Sequence, residues 1–450
     1  RSPFGVMSSH VFGYSKEISQ RQLERDTDDY YVPGDIIGFN GLERSYEKQI
    51  RGTKGENLIL VDSRRREVGK YKDGKKDTEA LKGKDLVLSI DGIIQKIAEE
   101  ELGDRTGAIV AIEPTTGEIL AMVSSPNYDL NMFSYVTPRA FLHELMNDPK
   151  KPQFNRATMS AHPPGSTFKI MTAIIGLELG IIDDKSSYFC GGGFTFGRFF
   201  RCLGKHGSIN VVTAIEKSCN TYFYQLILKI GADNLYKYSK KFGFGRKLKI
   251  DISEESAGLI PNEEYYRRIY GDNWPRGILV SLGVGQGEVS TTPLQLAHFT
   301  ALVANNGQSY VPHLAKGYLN ENKNLIPFTF PEEDVEIKQS VFDLVKKGMY
   351  LVVNGNGTAR HLHIPDIAIA GKTGTAQNPH GEDHAWFIGF APYENPKIAI
   401  CVLVENAGFG GTHAAPIAKK MIENYVRRKL NLFPPTVAEK SIEKVSPNAN

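Results

Sequence analysis

Pro163-Pro164-Gly165-Ser166-Thr167-Phe168-Lys169, continued by Ile170-Met171-Thr172-Ala173-Ile174-Ile175-Gly176-Leu177, is the stretch on which the reading of this chain turns. Two prolines cannot continue a helix backwards, so a helix is expected to begin at about Ser166. From Ser166 to Leu179 the residues are apolar almost all round, the pattern of a helix buried in a core. The first amides of a helix have no internal partner, and its macrodipole favours negative charge there. The Ser166 N–H is thus placed to donate to a developing oxyanion, and Lys169, three residues on, shares the serine's face. A serine hydroxyl is a poor nucleophile until a base takes its proton. Lysine can do so only as the neutral amine, a form favoured by burial and by a neighbouring cation, for which Lys372 is the candidate.

Two further motifs follow in order. Ser218-Cys219-Asn220 falls between a predicted helix at Val212 to Lys217 and an aromatic-rich one from Thr221. Ser218 is read as a proton relay to a leaving amine, and Asn220 as a holder of a substrate amide and of the Lys169 side chain. Lys372-Thr373-Gly374-Thr375 ends a predicted strand. Its edge suits pairing with an extended peptide. Gly374 is expected to let substrate approach the backbone, while Thr373 and Thr375 with Lys372 suit a carboxylate. The Thr375 N–H is the second oxyanion donor of this reading. Each motif alone also fits a plain structural role as a helix cap, a turn or a strand end. Ser45-Tyr46-Glu47-Lys48 and Ser441-Ile442-Glu443-Lys444 repeat the Ser-x-x-Lys spacing in charged, surface-like sequence and receive no role. Order, spacing and local structure agreeing in all three motifs is what points to acyl transfer.

Around these motifs the 450 residues allow two or three domains and a large core. A net charge of +3 gives no reason to expect a nucleic-acid partner. The basic stretch from Arg64 to Lys84 is mixed with acids and reads as solvated loop, with attraction to an anionic envelope surface as the sharper alternative. No apolar run reaches the roughly 18 residues of a membrane span. Residues 1–85 read as an extended module of strands and loops, 86–434 as the catalytic domain and 435–450 as a loose tail. Predicted strands at Leu86–Ile90, Gly107–Ile112, Glu118–Val123, Ile367–Gln377, Ala385–Ala391 and Lys397–Glu405 bracket a mainly helical stretch from about 137 to 355. The fold class is therefore α/β (α+β): an antiparallel sheet flanked by helices, with a helical insert.

Cys190, Cys202, His206 and Cys219 form a Cys-x11-Cys-x3-His-x12-Cys set. Three thiolates and an imidazole make a tetrahedral zinc set. A Cys190–Cys202 disulfide and unpaired buried thiols are the alternatives. Cys401, in an apolar strand, reads as core. No organic cofactor is expected.

The Ser/Lys, Ser/Asn and Lys-Thr-Gly set occurs in penicillin-binding proteins and class A β-lactamases, and the chain resembles a class B penicillin-binding protein over nearly its whole length. Gly41-Leu42-Glu43-Arg44-Ser45-Tyr46 with Arg51-Gly52 is similar to that family's amino-terminal pedestal signature. Glu113 to Met122, Gly283-Val284-Gly285-Gln286-Gly287 with Thr292 to Leu296, and His384 to Pro392 resemble its transpeptidase domain. Cys219 within the second motif and Asn220 to Gln225 most resemble the penicillin-binding protein 2 group, of the cell-elongation type. The resemblance implies a periplasmic domain of an inner-membrane-anchored D,D-transpeptidase, with the anchor and part of the pedestal absent from this chain. It implies attack by Ser166 on the D-Ala-D-Ala carbonyl of a peptidoglycan stem peptide, and acylation of the same serine by β-lactam antibiotics. It further implies partnership with a SEDS-type glycosyltransferase and elongation-complex proteins, and a metal near the site, with Asp where Cys190 and Cys202 stand here. A β-lactam-sensing domain and a hydrolase, either D,D-carboxypeptidase or β-lactamase, are the rival functions. No Glu-x-x-Leu-Asn segment is present to activate water as in class A β-lactamases, so slow deacylation is expected.

Overall fold

The computed structural model describes residues 5–133 and 136–432. The first four residues, the expected tail and Ser441–Lys444 lie outside them. The centre of the fold is a five-stranded antiparallel sheet of β1 (Gly107–Ile112), β2 (Ile119–Ser125), β3 (Ala370–Ala376), β4 (His384–Ala391) and β5 (Ile398–Val404). The spatial order is β3-β4-β5-β1-β2. One row crosses the whole sheet from Lys372 through Ile388, Cys401 and Val110 to Met122. Every residue of β1, β2, β4 and β5 is buried. These strands are near-continuous apolar runs, rather than alternating, because helices cover both faces of the sheet. Among the longer helices are α1 (Gly92–Leu102), α2 (Lys169–Glu178), α3 (Asn220–Ile230), α4 (Pro293–Ala304), α5 (Gln339–Asn354) and α6 (Ala415–Lys429). Helix α4 lies against β5 and β1, α1 against β2, α6 against β4 and β5, and α5 against β3.

Helix α4 shows how local sequence writes an element. Thr292 caps it and Gln295 returns the bond, a capping box, and Pro293 occupies the first turn. All twelve of its residues are buried, Gln295, His298 and Thr300 among them, as expected of a helix apolar on nearly every side.

The structure departs from the sequence reading at three places. The strand expected at Leu86–Ile90 exists as Asp85–Leu88, but it joins a separate three-stranded sheet with Ala315–Leu319 and Leu325–Pro327. The middle stretch is not helical throughout. Tyr188–Cys190 pairs with Gly207–Ile209, and the hairpin Gly193–Phe196/Arg198–Arg201 stands on that two-stranded stem. These runs of three or four residues are too short for periodicity to register. The amino-terminal module, besides its two short hairpins, contains short helices such as Ser9–Phe12 and Gly41–Ser45. It is tied to the catalytic domain by Tyr46, which donates to Asp251 at 3.0 Å and stacks on Phe328.

The edge position of β3 matters most for function. Only one of its sides is paired, with β4, so its other side is open along the cleft between sheet and helical insert.

Candidate active site

Ser166 does not open the α-helix directly. It sits in a 3-10 turn, Gly165–Phe168, that runs into α2 at Lys169. This turn is pressed against β3. Gly165 has φ +55°, and a Cβ there would lie 2.5 Å from the Thr375 carbonyl oxygen, so only glycine fits. Gly374 answers from the strand: a Cβ on it would meet Thr167 Cγ2 at 2.8 Å and Pro164 O at 2.9 Å. The expected reason for Gly374 was room for substrate. The structure gives a different one, because the space a side chain would take is filled by the turn that carries Ser166.

The approach to this turn is held by Glu405 at the end of β5. Its carboxylate accepts from Ser160 Oγ at 2.9 Å and Arg156 Nε at 3.2 Å, and lies 3.3 Å from His162 Nε2. Burial opposes its ionisation, but His162, Arg156 and Ser160 together outweigh burial and hold its pKa at about 2.

Behind Ser166 lie two fully buried amines. Lys169 Nζ donates to Ser218 O at 2.7 Å, Ser218 Oγ at 3.1 Å and Asn220 Oδ1 at 2.6 Å. Lys372 Nζ donates to Ser218 Oγ at 2.9 Å and Thr373 O at 3.1 Å. Asn220 thus holds the Lys169 side chain, as read from the sequence. The Ser166 hydroxyl itself makes no side-chain hydrogen bond among the described residues, so the Lys169 amine is anchored on the second motif rather than on the serine. Burial lowers Lys169 to about 7, against an opposing pull from Cys202 and Cys219. Lys372 lies well below its ordinary value, first through burial and then through repulsion by Lys169. Burial is the leading cause for both amines, and the repulsion between them, both fully buried and bonded to the same hydroxyl, opposes charging them together.

Ser218 joins the two amines from a constrained position. It is a non-glycine residue at φ +53°, between the helix Val211–Glu216 and α3. Holding a side chain there costs on the order of 1 kcal/mol, and the hydrogen bonds from both lysines offset it.

Ser166, Ser218, Asn220, Thr373, Gly374 and Thr375 all line one cleft of about 970 Å³. Alternation along β3 places the Thr373 and Thr375 side chains on one face and Lys372 and Gly374 on the other. Lys372 therefore stands behind Ser218 and reaches the cleft through that hydroxyl. Sequence reasoning gave no role to two other features of the cleft. Gln286 Nε2 donates to the Thr375 carbonyl at 3.1 Å, fixing the β3 backbone from the Gly283–Gly287 loop. The hairpin Gly193–Arg201 supplies Arg198, Phe199 and Arg201 to the opposite wall. Gln286 lay inside a stretch already singled out by resemblance; the hairpin carried no signal except its unusual Phe/Arg composition.

The ligand atoms of Cys190, Cys202, His206 and Cys219 lie within 4.8 Å of one another. Zinc at about 2.3 Å from sulfur and 2.0–2.1 Å from nitrogen has tetrahedral edges of about 3.8 Å for S–S and 3.5 Å for S–N. The Cys202–Cys219 sulfurs are 3.8 Å apart, and His206 Nδ1 lies 3.5 Å from Cys190 Sγ and 3.8 Å from Cys202 Sγ. The residues present therefore fit such an ion. All four cysteines of the chain are free thiols. The Cys202 thiol is pushed down, first by the hydrogen bond from Cys219, whose own thiol is pushed up by the same contact. Cys401 is buried in β5, the central strand of the sheet.

A five-stranded antiparallel sheet whose free edge faces a serine, with two buried lysines sharing a second serine, defines a serine acyltransferase site. Residues 107–423 match the penicillin binding protein transpeptidase domain, and residues 1–88 the penicillin-binding protein dimerisation domain. The chain belongs to the penicillin-binding protein transpeptidase family. It is 36% identical to the peptidoglycan D,D-transpeptidase MrdA of Acinetobacter baumannii, over 96% of this chain and 67% of that protein. MrdA of Escherichia coli K12 is 33% identical over 91% of this chain and 68% of its own length. Among solved structures, Pseudomonas aeruginosa PBP2 in complex with WCK 5153 superposes with a TM-score of 0.82 at 36% identity, covering 94% of this chain and 90% of the other. Helicobacter pylori PBP2 in complex with MreC gives 0.85 at 30% identity, covering 96% and 79%.

Proposed function

We propose that this chain is a peptidoglycan D,D-transpeptidase of the cell-elongation type, working through an acyl-enzyme on Ser166. The observation that carries the reading is the convergence of Ser166, Ser218 and the β3 edge on one cleft, with two buried amines directly behind Ser218. A stem peptide lies antiparallel along β3, its terminal carboxylate at the Thr373 and Thr375 hydroxyls. Ser166 Oγ attacks the D-Ala carbonyl while neutral Lys169 takes the proton. The oxyanion is met by the Ser166 and Thr375 amides. As the intermediate collapses, the C–N bond breaks and Ser218 passes a proton to the departing D-Ala amine. An amine on a neighbouring stem then takes the acyl group and restores the Ser166 hydroxyl. β-Lactams acylate the same oxygen.

In this reading Cys190, Cys202, His206 and Cys219 hold a structural zinc ion. Its contribution is rigidity: it pins the neck of the Gly193–Arg201 hairpin to Cys219, between Ser218 and Asn220. No helix among the described residues is long and apolar enough to cross a membrane. The peptidoglycan substrate in the relatives' names is what supports a periplasmic position for this domain. The Helicobacter pylori complex with MreC, and a neighbour from a peptidoglycan synthase complex coordinating polymerization and crosslinking, support elongation-complex proteins and a SEDS-type glycosyltransferase as partners.

The test is mass spectrometry of the digested protein after incubation with penicillin, paired with a donor peptide ending in D-Ala-D-Ala and an amine acceptor. A long-lived adduct on Ser166 and acceptor-dependent product are expected. Label retained by Ser166→Ala, or hydrolysis without transfer, would remove the reading.

A further inference from the structure

The wall of the cleft opposite β3 has a chemistry that acyl transfer alone does not require. The hairpin Gly193–Phe196/Arg198–Arg201 borders the cleft with its second strand, whose side chains alternate, Arg198 and Phe200 on one face and Phe199 and Arg201 on the other. Among the described residues neither guanidinium has a carboxylate partner, in a chain that carries 51 acids against 54 basic residues. Arg198 is oriented by the Phe200 ring, its Cζ 4.7 Å from the centroid. Arg201 is fixed through its backbone, because its carbonyl accepts from Asn220 Nδ2 at 3.2 Å and Tyr224 Oη at 3.3 Å. The hairpin is therefore registered on a residue of the second motif rather than hanging free. The lips are apolar: Phe199 is 65% exposed on this side, and Phe409 is 70% exposed on a second loop lining the cleft. The one carboxylate lining the cleft, Asp383, belongs to the segment beyond β3 that also carries Gln377. The end beside Asn220 is left positive.

We propose that Arg198 and Arg201 bind the carboxylates that a stem peptide carries upstream of its D-Ala-D-Ala end, and so select acidic over amidated stems. The inference rests on the functional reading above and names the substrate class of that same site. The guanidinium fork matches a carboxylate in two parallel bonds, which a lone ammonium does not. A stem laid along β3 has its reacting end at Ser166 and passes Asn220 on its way out, so its upstream carboxylates meet the hairpin. Because the arginines are exposed, each contact is worth only a few-fold, and the pair about tenfold. The phenyl lips add area without choosing between acid and amide.

The experiment compares two donors, identical except that the upstream carboxylates are free in one and amidated in the other. Acyl transfer to a fixed amine acceptor is followed for the wild type, for the double variant Arg198→Gln/Arg201→Gln and for Arg198→Lys/Arg201→Lys, each checked by thermal melting. The wild type is expected to prefer the acidic donor about tenfold in kcat/KM, mostly through KM, and to lose that preference as salt rises. The glutamine pair should treat both donors alike, and the lysine pair should keep part of the preference. A wild type indifferent to amidation, or a folded glutamine pair that still prefers the acid, overturns the proposal. A wild type that penicillin fails to acylate at Ser166 would instead remove the functional reading beneath it.

Discussion

Lys169 and Lys372, from a helix and a strand far apart in sequence, share the hydroxyl of Ser218, at 3.1 Å and 2.9 Å. A hydroxyl can accept from both amines, but two full charges this close in a dry site repel strongly. The site therefore favours a neutral base at neutral pH. The pH dependence follows directly. With Lys169 lowered to about 7, the competent neutral form gains as pH rises through that value. Acylation by labelled penicillin should climb through pH 7 and level off above it. Lys169→Ala should slow it by about 10²–10⁴-fold and abolish the climb. Stopped-time gel labelling across the range checks both.

Ser218→Ala removes an acceptor from each amine and leaves Lys372 with only the Thr373 carbonyl. Acylation should fall by about 10²-fold, while stability falls by no more than about 2 kcal/mol, the worth of the lost hydrogen bonds, because alanine keeps the Cβ and with it the left-handed strain. A variant that acylates at the native rate would show that proton transfer bypasses this hydroxyl.

Gly374→Ala inserts a Cβ 2.8 Å from Thr167 Cγ2 and 3.0 Å from Trp386 Cβ. The Ser166 turn must shift away from β3, which typically costs about 1–3 kcal/mol. Both melting temperature and acylation should drop. If Gly374 served only substrate approach, stability would stay native and KM alone would rise.

The cysteine cluster predicts one zinc ion per chain by elemental analysis of the untreated protein. Cys219→Ser should lose most of it, and chelation should lower the melting temperature of the wild type but not of the variant. Metal content at background in the native protein would leave the set as three thiols packed around an imidazole.

Glu405 gives a stability window. Its pKa is lowered to about 2 from an ordinary 4.5, so its contribution is fully present above 4.5 and is lost as pH falls through 2. The shift corresponds to roughly 3 kcal/mol. Glu405→Gln should melt lower at pH 7, and should show a flatter fall between those two values than the wild type. Parallel melting curves for both proteins across the window would count against the pairing with His162, Arg156 and Ser160.

Much of this was legible in the residues. Strand β1 at Gly107–Ile112 has the bounds read from its apolar run. The short pairings were not legible. Tyr188–Cys190 and Gly207–Ile209 hold three residues each, and what makes them strands is each other. Nor did Gly374 reveal its partner, since the clash it avoids is with Pro164 and Thr167 on another element.

The order of residues determined which chemical groups this protein owns and which local elements carry them, because helices and strands follow from contacts a few positions apart. Tertiary structure alone decided that Lys372 backs Ser218 instead of facing the cleft, that both amines meet on one hydroxyl, and that two arginines overlook Asn220. Those outcomes depend on which side of β3 stays unpaired and on how closely one turn packs against it. Such distances are set by packing across the fold.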